Sequence, residues 1–204
     1  MTDIERNWWD AEAHLDERYA TLAWGGDGTP EAVQPTIDMI LENIMVLHAI
    51  DNANRTCEIG CGPGRILHRV ARIYPDVQFV GIDVSASMIA LGDDDRPGNV
   101  TTMVVDPTQD IDAGQFDFIY TVEVLQHLTA PMKRKYMDHI KSMLTTKGLA
   151  LIQYVEGIDD NEWMNHPESM GNMQTWVREA GLKITRAIVP NKIHDEWRWM
   201  VIRK

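Results

Sequence analysis

A run of alternating glycines constrains the fold of this chain more than any other feature of its sequence. Gly60, Gly62 and Gly64 follow a short apolar stretch, residues 56–59, and precede a segment with helical periodicity. Glycine lets the main chain approach a ligand closely because it has no Cβ atom. A helix start adds free N–H groups and the positive end of a dipole. We therefore predict a strand, a ligand-binding turn and a helix, although a tight turn without a ligand would show the same pattern.

Beyond the glycines, the hydrophobic period changes repeatedly between that of strands and that of helices. This alternation favours a mostly parallel sheet with helices on both faces. The last two extended segments leave no room for a helix between them, so they must form a hairpin that makes one terminal strand antiparallel. We predict an α/β fold, a doubly wound seven-stranded sheet, with strands at residues 56–59, 77–83, 100–105, 116–122, 149–154, 182–189 and 196–202 and helices at 65–74, 85–91, 131–144 and 167–180, and with Gly148 ending the helix at 131–144.

The region before the first strand has the periodicity of two helices. Residues 3–23 repeat apolar side chains at three- and four-residue steps, and residues 24–30 contain three glycines and a proline. A second helix is predicted to begin with Thr29 as its cap. We therefore divide the chain into an N-terminal helical cap or lid, residues 1–48, and a ligand-binding domain, residues 49–204.

Composition and charge exclude several classes of protein. The formal net charge is −12, and the basic residues are scattered among acids, so no DNA partner is expected. The only two cysteines, Cys57 and Cys61, cannot complete a four-ligand metal site alone, and we expect no metal. No signal peptide is visible, and no apolar run approaches the ~20 residues of a membrane span. We expect a cytoplasmic protein with no membrane contact; its oligomeric state is left open.

The acidic residues around the glycine loop indicate which ligand it binds. Asp83 ends the next strand, where a carboxylate can accept hydrogen bonds from two ribose hydroxyls, although it could instead cap the helix that begins at Ser85. Arg65 replaces the third glycine of a dinucleotide fingerprint, and the Gly-Lys-Ser/Thr of a nucleotide triphosphate loop is absent. A carboxylate at Glu58 would repel a diphosphate but could orient an ammonium group. S-adenosylmethionine has an adenosine and an amino acid end but no phosphate.

These segments resemble the motifs of the class I S-adenosylmethionine-dependent methyltransferases. Residues 58–65, Glu-Ile-Gly-Cys-Gly-Pro-Gly-Arg, are similar to the first motif of that family, and residues 83–88 are similar to the second. Residues 104–107 and 116–128 are looser matches to the third and fourth motifs. The resemblance covers about residues 50–204 and includes the terminal hairpin. It implies S-adenosylmethionine as the cofactor and methyl transfer as the activity.

The resemblance also implies which residues contact the cofactor. The acid at position 83 would bind the ribose, residues around Met88 would flank the adenine, and Asp106 would bond the adenine amino group. The turn after the fourth strand would lie beside the methionine part, and Tyr19 and Trp24 would either close over the cofactor or pin the first helix to the domain. The expected cofactor-binding residues are Tyr19, Trp24, Glu58, Gly60, Cys61, Gly62, Asp83, Val84, Met88, Asp106, Pro107, Thr121 and Val122.

The implied reaction is in-line displacement at the sulfonium methyl, in which the protein mainly supplies proximity and alignment. Glu123, His127 and Tyr154 are candidates for a general base, with His127 favoured because it closely follows the fourth strand. No motif of a DNA methyltransferase and no domain for reading tRNA is present, so we expect a small-molecule acceptor. The alternatives are a methyltransferase acting on RNA or protein, and a non-catalytic S-adenosylmethionine-binding protein. Side chains that could line an acceptor pocket are Trp163, His166 and Trp197.

Overall fold

A computed structural model of the chain describes residues 8–11, 13, 30–157, 166–188 and 195–204. Tyr19, Trp24 and Trp163, the cap at Thr29 and most of the helix expected at residues 3–23 lie outside these described residues. The division into a lid, residues 1–48, and a domain, residues 49–204, therefore stays a prediction. Within the described part of the chain, no helix is long and apolar enough to cross a membrane.

Seven strands form one sheet in the order β3-β2-β1-β4-β5-β7-β6. The first five strands are parallel, and β7 is antiparallel to both of its neighbours, β5 and β6. This arrangement confirms the predicted mostly parallel sheet with an antiparallel terminal strand. The strands are β1 (Arg55–Ile59), β2 (Gln78–Asp83), β3 (Val100–Val104), β4 (Phe116–Thr121), β5 (Leu144–Val155), β6 (Lys183–Ile188) and β7 (Trp197–Arg203).

Helices cover both faces of the sheet, because its inner strands carry buried apolar side chains on both sides. On one face, buried residues of the helices before β1 and β2 pack in one core cluster. On the other face, buried residues of the helices before β5 and β6 pack in a second cluster. The helices are α1 (Pro30–Met45), α2 (Leu67–Ile73), α3 (Ala86–Ala90), α4 (Ala130–Met143) and α5 (Met170–Glu179).

The end of α4 differs from the prediction. The helix stops at Met143, and β5 begins immediately at Leu144, so Gly148 lies inside the strand and does not end the helix. A Cβ atom on Gly148 would lie 2.9 Å from the carbonyl oxygen of Phe116, where the pairing of β4 with β5 shifts register. The glycine therefore serves the close approach of two strands.

The strand order places a crevice at one edge of the sheet. The chain crosses from β1 to β2 and β3 on one side and to β4 and β5 on the other, so the order reverses between β1 and β4. Ligands of open α/β sheets bind at such a reversal, outside the carboxyl ends of the strands. Ile59, Asp83 and Thr121 end the three strands there.

Candidate active site

A cavity opens at the carboxyl ends of β1, β2 and β4, at the reversal of strand order. Its walls come from the glycine loop, the residues after β2 and β3, the turn after β4, helix α4 and the N-terminal segment. The lining residues are Trp9, Glu58, Ile59, Gly60, Cys61, Gly62, Arg65, Ile66, Ile82, Asp83, Val84, Met88, Val105, Val122, Glu123, Val124, His127, Leu128 and Tyr136.

The glycine loop packs tightly against the ends of two strands. The backbone N–H of Gly60 donates to the carbonyl of Ile82 at 2.7 Å. Gly60 has φ of +74°, and a Cβ atom there would lie 2.1 Å from Cγ2 of Val124. Both the backbone conformation and this contact require glycine. The loop is therefore a close-packed floor for the cavity, and its contact with a ligand stays a prediction.

Asp83 links the end of β2 to the glycine loop. Its Oδ2 accepts the N–H of Gly62 at 2.8 Å, and its Oδ1 accepts the N–H of Ser85 at 2.9 Å. The cap of α3 is Ser85 itself, whose Oγ accepts the N–H of Met88 at 3.0 Å. Asp83 therefore does not cap the helix, and its carboxyl group lines the cavity. Burial is the main cause of the raised pKa of Asp83.

Glu58 lies deeper, on the floor of the same cavity. Only 4% of its surface is exposed, and its Oε2 accepts a hydrogen bond from Tyr120 Oη at 3.0 Å. Burial, with a smaller contribution from Asp83, raises the pKa of Glu58 to about 8. The carboxyl group therefore changes charge close to neutral pH, and a neighbouring cation favours its ionised form. The sequence-based prediction treated Glu58 as a charged carboxylate. Its raised pKa means that the group is partly protonated near neutral pH.

Three carboxyl groups, those of Glu58, Asp83 and Glu123, line this one cavity. Burial raises the pKa of each of them. Their neighbours in the lining include the cationic Arg65 and the titratable His127. A ligand with positive charge relieves the cost of ionising such groups, whereas a diphosphate would add repulsion. The residues therefore fit the ammonium and sulfonium of S-adenosylmethionine and the hydroxyl groups of its ribose.

The three candidates for a general base lie in two different environments. Glu123 and His127 line the cavity, in the turn that follows β4. Tyr154 does not line it; this side chain is 1% exposed in the core cluster beside α4 and α5. Burial raises the pKa of Tyr154 to about 12, which weakens it as a base near neutral pH.

The N-terminal segment closes one side of the cavity. The ring of Trp9 contacts that of His127 edge-on, with centroids 5.2 Å apart. Asp10 Oδ1 accepts a hydrogen bond from Ser85 Oγ at 2.6 Å. Residues 8–11 thus contact both the turn after β4 and the cap of α3, and Trp9 lines the cavity. We call these four residues the strap.

Among the residues expected to bind the cofactor, Asp106, Pro107 and Thr121 do not line the cavity. Asp106 Oδ1 accepts from the N–H of Thr108 at 2.9 Å and from its Oγ1 at 2.7 Å, which closes the turn after β3. The carbonyl of Pro107 is hydrogen-bonded to His139 Nε2 at 3.0 Å. Val105 contributes to the lining at this point. The adenine contacts assigned to Asp106 and Pro107 and the methionine contact of Thr121 stay predictions.

A family profile described as a methyltransferase domain matches residues 57–150. The matched segment holds the glycine loop, Asp83 and the turn after β4, which together form most of the cavity. This part of the chain is therefore similar to a methyltransferase domain.

Relatives and solved structures that are similar to this chain are methyltransferases by name. A trans-aconitate 2-methyltransferase of Yersinia pseudotuberculosis is 29% identical over 146 residues, which are 68% of this chain and 53% of the relative. The magnesium protoporphyrin IX methyltransferase of Synechocystis with bound SAH has a TM-score of 0.76 at 15% identity, with 99% of both chains covered. The N-methyltransferase NodS of Bradyrhizobium japonicum, in complex with S-adenosyl-L-homocysteine, has a TM-score of 0.72 at 18% identity, with 98% of both chains covered. The chain spans about half the length of the curated relatives it matches.

Sequence reasoning missed several residues that form the walls of the cavity. Trp9, Val105, Val124, Leu128 and Tyr136 all line it. Tyr136 belongs to α4, where helical periodicity indicates a buried face without saying what that face meets. The match of residues 116–128 to a family motif was the one signal that included Val124 and Leu128.

Two residues suggested for an acceptor pocket lie elsewhere in the fold. Trp197 is 4% exposed and packs against Trp199 in the core, with ring centroids 6.2 Å apart. His166 donates its backbone N–H to the carbonyl of Gln126 at 2.6 Å. Neither residue lines the cavity.

Proposed function

We propose that the chain binds S-adenosylmethionine in this cavity and transfers its methyl group to a small-molecule acceptor by in-line displacement. The observation that carries the proposal is the carboxyl-lined cavity over a glycine loop. Three acids, of which Glu58 is buried and Asp83 and Glu123 are partly buried, disfavour a phosphate and suit a cationic adenosine derivative. The similarity of residues 57–150 to a methyltransferase domain supports the same cofactor.

The positions of the side chains support a division of labour. We assign the ribose hydroxyls to Asp83 and the ammonium group to Glu58, because both carboxyl groups line the cavity. Val84, Met88 and Val105 form an apolar wall suited to the adenine ring. The N–H of Gly62 is already directed at Asp83, so one ribose-binding carboxyl and the glycine loop are fixed relative to each other.

The sulfonium of the cofactor supplies an already activated methyl group, so the protein needs chiefly to align the acceptor and exclude water. Glu123 and His127 are the side chains on the acceptor side that can accept a proton. Burial raises the pKa of Glu123 to about 8, so it gains strength as a base above neutral pH. Trp9 beside His127 restricts the opening, which favours a small acceptor over a polymer.

The acceptor class is tested by following a tritiated methyl group. The chain is incubated with methyl-labelled S-adenosylmethionine and, separately, with small organic acids that include trans-aconitate, with small amines and phenols, with total RNA and with protein extract. We expect label in a small product, and much less label with the Asp83→Ala variant when the cofactor concentration is near the wild-type Kd. Label only in RNA or protein would favour the macromolecular alternative. Binding of S-adenosylmethionine without transfer to any acceptor would favour the non-catalytic alternative.

The cytoplasm remains our proposed location.

A further inference from the structure

Glu123 has an unusual backbone conformation for a residue with a side chain. Its φ is +59°, in the left-handed region. A non-glycine residue there costs on the order of 1–3 kcal/mol and persists only where its neighbours hold it. Glu123 also lines the cavity. The contacts around it therefore show what the fold maintains at this point.

Two glutamine side chains hold Glu123 from different elements. Gln153 of β5 accepts the backbone N–H of Glu123 through Oε1 at 2.7 Å. Gln126, in the turn after β4, hydrogen-bonds the carboxyl group. The first contact fixes the backbone of residue 123, and the second fixes its side chain.

The buried position of the Gln153 side-chain amide reduces the stability of the fold. The residue is fully buried on a central strand, and its neighbours on the same strand face, Leu151 and Val155, are apolar members of the core. Within the described part of the chain, Gln153 Nε2 has no hydrogen-bond partner. Burying an unpaired amide group costs about 1–3 kcal/mol. An apolar side chain of the same length would therefore serve the core better, and the contact with Glu123 is what the glutamine adds.

We propose that Gln153 is a positioning residue, which holds residue 123 in its left-handed conformation and thereby keeps the Glu123 carboxyl group at the acceptor side of the cavity. The importance of that carboxyl group for methyl transfer rests on the proposed function. Without an acceptor atom at position 153, the backbone of Glu123 can relax to negative φ, and its carboxyl group can leave the buried position. The pKa of Glu123 reports this change, because burial raises it to about 8, with a smaller contribution from Glu196.

The test compares two substitutions at position 153 by NMR titration of the Glu123 carboxyl group. Gln153→Met keeps the length of the side chain and removes the acceptor, so we expect the Glu123 pKa to fall by at least one unit, toward the ordinary value of about 4.3. Gln153→Glu keeps an acceptor oxygen and adds negative charge, so the pKa should stay high or rise. Leu151→Met, on the same face of β5, is the matched control and should leave the Glu123 pKa unchanged.

S-adenosylhomocysteine binding, measured by calorimetry on the same proteins, separates this proposal from the proposed function. Gln153→Met should bind within about threefold of the wild type, because Glu58, Asp83 and the glycine loop are untouched. A Glu123 pKa that is equal in the wild type and Gln153→Met, or that falls equally in both Gln153 variants, would overturn the positioning role. Failure of the wild type to bind S-adenosylhomocysteine would instead overturn the proposed function.

Discussion

The N–H of Gly62 donates to Asp83 Oδ2 at 2.8 Å, so the glycine loop is joined to the end of the neighbouring strand by the acid expected to bind the ribose. One carboxyl group therefore has two tasks, to hold the loop in shape and to present acceptor atoms to a ligand. This double role makes position 83 sensitive to substitution.

Replacement of Asp83 by alanine should weaken binding of S-adenosylhomocysteine by about 10- to 150-fold, which corresponds to roughly 1.5–3 kcal/mol for a lost hydrogen bond to a charged group. Isothermal calorimetry measures the change. Asp94→Ala, at an exposed aspartate in the turn after α3, should bind like the wild type. Equal affinity of Asp83→Ala and the wild type would remove the ribose assignment.

Gly60→Ala should lose most of its cofactor affinity and unfold more easily. The added Cβ atom would lie 2.1 Å from Val124 Cγ2 at a residue whose φ is +74°. Strain of this kind costs on the order of 1–3 kcal/mol. Gly98→Ala is the matched control, because a Cβ atom there meets nothing within 4 Å. Urea unfolding of the two variants gives the comparison, and equal stabilities would show that the floor of the cavity is not tightly packed.

Asp10→Asn should speed the release of S-adenosylhomocysteine. Asp10 fastens the strap to Ser85 by a hydrogen bond of 2.6 Å, and Trp9 of the strap lines the cavity that is proposed to hold the ligand. A hydrogen bond to a charged group is worth roughly 1.5–3 kcal/mol, so its weakening is expected to raise the dissociation rate by about tenfold. Stopped-flow displacement measures that rate. An unchanged rate would mean that the strap does not control exit.

Binding of S-adenosylhomocysteine should release protons below pH 8. Burial raises the pKa of Glu58 to about 8, so near neutral pH most molecules hold a proton there, and the ligand's ammonium group favours its loss. Affinity should therefore rise with pH, by up to about tenfold per unit between about pH 6 and pH 7.5. Calorimetry in buffers of different ionisation enthalpy counts the released protons. Glu58→Gln should release fewer, and equal release by both proteins would point to another group.

The sequence predicted those parts of the site that depend on neighbours along the chain. The glycine loop and Asp83 belong to two consecutive strand ends, and parallel strands bring such ends together. The alternation between strand and helix periods in the hydrophobic pattern was likewise enough to predict the mostly parallel sheet and its antiparallel terminal strand. The prediction that Gly148 ends a helix was wrong. A glycine after a helical segment usually indicates a helix end, whereas here it permits the close approach of β4 and β5.

The rest of the site depends on contacts that no local pattern encodes. Trp9 reaches His127 across more than a hundred residues of sequence, and Gln153 meets Glu123 from a different strand. The raised pKa of Glu58 depends on burial, which only the packed structure reveals. The sequence shows that residue 58 carries a carboxyl group, but it does not show whether that group is protonated near neutral pH.

The central claim is that this carboxyl-lined cavity selects an adenosine ligand with an ammonium group over a phosphate-bearing one. Calorimetric titration of the wild type with S-adenosylhomocysteine, NADH and ATP in parallel tests it most directly. We expect saturable one-to-one binding of S-adenosylhomocysteine and no measurable heat with the two phosphate ligands. Saturation by NADH or ATP, with no binding of S-adenosylhomocysteine, would contradict the account.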